Sequence, residues 1–130
     1  FLSKKEFKSA LRSLTFVNFR NVFYDISSRS LMIKIYFETN DTISVESAAN
    51  NYKSFLKREK SLSDLQRAMY QNFIKFILSL TRVKDKLTKS SSEEIISKLK
   101  KIQLEIKNER YLSDKSWLIK QVCELTEVYT

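Results

Sequence analysis

Across 130 residues the chain has neither a glycine nor a proline. At average usage, roughly 7% and 5%, a chain of this length would carry about nine and about six. Without them most tight turns lose their usual residues. Two-residue hairpin turns need positive φ, which only Asn and Asp supply at low cost here. Phosphate-cradling loops need glycine so that the backbone can approach the anion, and there is none.

Other absences narrow the chemistry. No histidine is present, which excludes a Ser-His-Asp or Cys-His nucleophile and any His-ligated metal. Cys123 is the single cysteine, so an internal disulfide is impossible and a reducing, intracellular setting (cytoplasm or nucleus) is the expectation. Flanked by Val122 and lying between Trp117 and Leu125, its thiol reads as a small core hydrophobe. The carboxylates are scattered. Glu93 and Glu94 are adjacent in a first helical turn, where negative charge complements the helix dipole. These features predict a protein that is not an enzyme and needs no cofactor or metal.

Hydrophobic residues make up 42% and aromatics 12%, enough for a real core and too many for disorder. The longest apolar runs are short, such as Phe76-Ile77-Leu78, so no transmembrane segment is expected. The first residues, Phe1-Leu2-Ser3-Lys4-Lys5-Glu6, do not form a signal peptide. They also lack an initiating Met, which suggests a piece of a longer protein. The reading is one domain over 1–130.

Periodicity gives the fold class: mainly α, a bundle of about five helices around a long central one. Ser3 and Glu6 have capping-box spacing. Phe7, Ala10, Leu11, Leu14 and Val17 then predict a helix to about Tyr24. Val45, Ala48, Ala49, Tyr52, Phe55 and Leu56 predict a second helix ending near Glu59, and Ser61 with Asp64 offers the next cap. Leu62, Leu65, Met69, Phe73, Phe76, Leu80, Val83 and Leu87 step 3-4-4-3-4-3-4, a continuous seam of about seven turns. This central helix is expected over 62–88. Ser91 with Glu94 starts a fourth helix carrying Ile95, Leu99, Ile102 and Ile106. Ser113-Asp114 caps a fifth, with Trp117, Leu118, Gln121, Val122, Leu125 and Val128. The exception is 31–45. There Leu31, Ile33, Ile35 and Phe37 alternate with Met32, Lys34, Tyr36 and Glu38, and Asn40-Asp41 is the best available turn. A small β-hairpin competes with a helix for this stretch.

Charge is the main functional signal. Residues 1–90 hold 17 basic and 8 acidic side chains, whereas 91–130 hold 7 of each. Lys4, Lys8 and Arg12 line one stripe of the first helix. Arg67, Lys75, Arg82, Lys86 and Lys89 cluster opposite the central seam with no acid among them. Such a stripe can neutralise phosphates, though solvated lysine faces are common. The run Lys98-Leu99-Lys100-Lys101 is a weaker signal, since acids nearby offset it. A helix-turn-helix over Val45–Met69 would present Ser63, Asp64, Gln66 and Arg67 to a major groove, but the thick apolar seam favours a plain helical hairpin. Phe16, Phe19, Phe23 and Tyr36 do not fit one core face and are candidate protein-interface anchors. Two functions follow as expectations. The first is a protein–protein interaction or assembly domain of a larger complex. The second is a basic domain binding RNA or single-stranded nucleic acid through phosphates, without sequence readout. Attachment to a membrane surface is not expected, because the apolar half of each helix is assigned to the core.

Overall fold

The computed structural model describes residues 22–86 and 90–129, together with Glu6 and Lys8. Among them the fold is all-α, with no strand. The five helices are α1 (Val22–Glu38), α2 (Thr42–Arg58), α3 (Asp64–Asp85), α4 (Ser92–Asn108) and α5 (Lys115–Tyr129). The expected helix from Ser3 lies almost wholly outside the described residues, and its last residues, 22–24, open α1 instead. Contacts fall into two compact units, residues 1–52 and 53–130.

In the first unit, the hairpin expected at 31–45 is replaced by the end of α1 and the start of α2. The alternation has a different cause. Along α1 the buried residues are Ile26, Ser28, Ser30, Ile33, Ile35 and Phe37. At 100° per residue, Ile26, Ser30, Ile33 and Phe37 share one face, while Ser28 and Ile35 lie on the opposite face. A helix buried on two opposite sides has inward residues at i and i+2, the pattern of a half-buried strand. The Ser30 hydroxyl and the Tyr52 phenol, both buried, lie 3.2 Å apart in a mutual hydrogen bond. Asp25 and Arg29, one turn apart, pair at 2.7 Å on the same helix.

Helix ends show how a glycine-free chain turns. Asn40 takes φ 60°, the left-handed conformation usually left to glycine after a helix C-terminus. Its N–H donates to the Phe37 carbonyl at 3.2 Å, and the Asp41 N–H donates to the Tyr36 carbonyl at 2.9 Å. Asp41 then caps α2, accepting from the Ser44 N–H at 3.2 Å and the Ser44 hydroxyl at 2.7 Å. The turn residues were therefore legible, but they join two helices. Asn40→Ala is expected to lose about 1 kcal/mol in urea unfolding, with Asn40→Gly within a few tenths of wild type. Equal losses in both would show that the Asn side chain matters rather than the backbone.

In the second unit, α3, α4 and α5 contact one another pairwise. The cap of α3 lies two residues beyond the expected Ser61. Ser63 and Gln66 form a reciprocal capping box at 3.1 and 3.0 Å, while the Ser61 hydroxyl donates to Glu59 at 2.7 Å. Phe73, Ile74, Phe76, Ile77, Leu80 and Val83 are buried along α3. The seam is interrupted at Leu65, which is 49% exposed, although Leu62 before it is buried. The buried Thr81 hydroxyl is satisfied by the Ile77 carbonyl at 2.7 Å. Ser91 caps α4 as expected, accepting from the Glu94 N–H. Ile95, Leu99 and Ile106 of α4 and Leu118, Val122 and Leu125 of α5 are buried, and the two helices pack against each other. Trp117 is half-buried, its ring centroid 6.2 Å from that of Phe73 in a tilted arrangement.

Cys123 departs from its expected place. It is exposed, because it stands about 100° round the helix from Val122 and outside the buried stripe. Its sulfur accepts a long contact of 3.8 Å from the Gln103 amide.

Candidate nucleic-acid interface

The five cations expected on one stripe of α3 separate by role. Arg67 stands apart. Its guanidinium donates to the Leu56 carbonyl, to the Glu59 carbonyl at 3.0 Å and to the Leu62 carbonyl at 3.2 Å. It closes the C-terminal end of α2, where carbonyls lack helical partners and the helix dipole favours a cation. The half-buried Arg67 guanidinium, with three carbonyl partners, is engaged within the fold and so differs from the other cations of the expected stripe. Ser63 and Gln66 are likewise held in the capping box. Three of the four side chains that a groove-reading helix would offer are thus occupied locally.

Lys75 and Arg82 are exposed on one face of α3 with Ser79 between them, and Lys86, the C-cap residue that follows the helix, is exposed beside them. Lys75 also sits over the Phe76 ring at 5.0 Å. Lys89, Lys4 and Arg12 lie outside the described residues, and Lys8 is exposed.

What the sequence did not show is the second wall. A cleft of about 250 Å³ runs between α3 and α4, lined by Ser79, Arg82, Val83, Lys86, Lys98, Lys101, Ile102 and Glu105. On α4, Lys98, Lys101 and Glu105 fall on one side of the helix at 100° per residue. Among the described residues, four cations from α3, its C-cap and α4 therefore line an open cleft together with one carboxylate, Glu105. Among the described residues none of the four has an ion-pair partner. Gathering four cations around one carboxylate leaves a net positive charge whose mutual repulsion a bound anion would relieve. The signal for Lys98 and Lys101 was the run 98–101. Acids nearby in sequence weaken that signal, yet Glu93 and Glu94 lie in the first turn of α4 and are not among the described residues that line the cleft.

Among the described residues no group of carboxylates and thiol is placed to hold a metal ion, and no helix is long and apolar enough to cross a membrane. Of the expected protein-interface residues, Phe16 and Phe19 lie outside the described residues. Phe23 is 55% exposed beside Tyr24 at 67%, and Tyr36 is half-buried. Comparison with known protein families, with characterised proteins and with solved structures finds no match for the chain.

Proposed function

We propose that the domain is a non-catalytic, intracellular binding module that holds RNA or single-stranded nucleic acid by its phosphates, without reading sequence. The observation that carries this reading is the set of four unpaired cations, Arg82, Lys86, Lys98 and Lys101, converging on one cleft. Each Lys or Arg that neutralises a phosphate releases condensed counterions, so affinity falls with salt in proportion to the number of contacts. Four contacts on a single strand give a slope of log affinity against log salt of about −2.8. Fluorescence anisotropy of a labelled oligonucleotide between about 50 and about 200 mM salt measures it. A slope near zero, or no binding at the lower salt, would reject the reading. The exposed Cys123 thiol is compatible with the reducing compartment such a module would occupy.

A second reading rests on a separate observation. Phe23, Tyr24 and Leu31 are all exposed on α1, and at 100° per residue they fall within one side of that helix. Exposed aromatic residues of this kind anchor protein interfaces, which would make the chain an assembly domain of a larger complex. The loss of oligonucleotide binding at all salts would leave this reading in place.

A further inference from the structure

We propose that the polyanion site extends beyond the cleft, along α3 to Lys75, so that its ligand is a chain of about five or six linked phosphates rather than a mononucleotide or free phosphate; this rests on the nucleic-acid reading above. Lys75 is exposed about one turn before Ser79, the first α3 residue of the cleft lining. At 100° per residue it points within about 20° of Arg82. Lys86, the C-cap residue, follows Arg82 by about one further turn. Acids do not break this side between Lys75 and Arg82. The carboxylates of α3 are its first and last residues, Asp64 and Asp85. Asp64 lies about 16 Å before Lys75 along the axis, and Asp85 is turned about 60° from Arg82. The buried Phe76 ring lies 5.0 Å from the Lys75 ammonium and draws that side chain to the helix surface. In the cleft Glu105 offsets part of the charge, whereas reaching Lys75 adds a cation from a stretch of α3 that holds no acid.

Helical rise sets the length of this track. At about 1.5 Å per residue, Lys75 stands about 10 Å before Arg82 and about 16 Å before Lys86. Along one strand of stacked nucleic acid the phosphates advance about 3.4 Å each. Five or six phosphates therefore reach from Lys86 to Lys75, at about 14 to 17 Å. Two phosphates can engage the cleft but cannot also reach Lys75. Each phosphate linked to one already held meets its cation as an intramolecular event, so affinity climbs with length until the track is filled. Beyond that length it grows only with the number of positions the strand can take. The added contact steepens the salt slope from about −2.8 to about −3.5.

The test titrates the full chain with 5′-phosphorylated single-stranded RNAs of two, about six and about twelve nucleotides, by competition against a labelled hexanucleotide at about 50 mM salt. The hexanucleotide should bind at least about tenfold tighter than the dinucleotide. The longest RNA should gain no more than about sevenfold over the hexanucleotide, the number of positions open to it. Lys75→Gln should weaken the hexanucleotide about five- to tenfold, return its salt slope to about −2.8 and leave the dinucleotide within about twofold, with helicity unchanged. A dinucleotide that binds as tightly as the hexanucleotide overturns this inference, as does a gain from six to twelve nucleotides well above that count. So does a Lys75→Gln variant that leaves the hexanucleotide unmoved or weakens both lengths alike. Each of these results leaves phosphate binding at the cleft standing. No binding of any of the three RNAs overturns the nucleic-acid reading itself.

Discussion

Phe73→Ala is expected to lower stability by about 3–5 kcal/mol, the range for truncating a buried Phe. Phe73 is fully buried in the middle of α3, next to Trp117 of α5. Truncation removes apolar burial and leaves a void that a helix packed against two others closes poorly. Domains of this size have about 5–15 kcal/mol in total, so the variant should stand near the edge of folding at room temperature. Urea unfolding followed by tryptophan emission gives a local readout, because Trp117 is the single tryptophan. Phe73→Leu, which keeps most of the volume, should cost less than about 1.5 kcal/mol. A loss below about 1 kcal/mol for Phe73→Ala would mean that α3 and α5 are not packed as described.

The second large effect separates cations that look alike in the sequence. Arg67→Ala should cost about 2 kcal/mol of stability, the scale for hydrogen bonds made by a charged donor, since it leaves carbonyls at the end of α2 without their partner. Its direct effect on oligonucleotide affinity should be small once the folded fraction is accounted for. Reversing Arg82 and Lys86 together to Glu should do the opposite. Both are exposed, so unfolding should shift by about 0.5 kcal/mol or less. Single-strand affinity should fall by one to two orders of magnitude, and the salt slope should flatten by about 1.4 as two contacts are lost. If Arg67→Ala weakened binding as strongly as the double reversal, at equal folded fraction, the assignment of Arg67 to the end of α2 would be wrong.

The long polar-to-apolar periodicities of α2, α3, α4 and α5 were enough to place those helices, because each buries one dominant stripe and helical geometry repeats that stripe every three or four residues. Ser91 was legible as a cap for the same local reason, its acceptor lying three residues before the N–H it satisfies. The basic side formed by Lys75 and Arg82, continued by the C-cap residue Lys86, was also readable from their spacing.

The misreadings have a common origin in what surrounds an element. Residues 31–38 alternate because α1 is buried on two sides, and no local pattern distinguishes that from a strand with one wet face. Arg67 shares the composition of its neighbours, and only the position of the α2 carbonyls decides that it ends a helix. Acids close to Lys98 and Lys101 in sequence weaken their signal, yet Glu93 and Glu94 are not among the described residues that line the cleft the lysines share with Arg82 and Lys86. From its residues alone, this chain was determined to be helical, to turn without glycine, and to carry excess positive charge in its first 90 residues. Which cations converge, and which are used up in holding the fold together, was decided by packing between helices, since spacing along one helix carries no information about the side chains that face it from another.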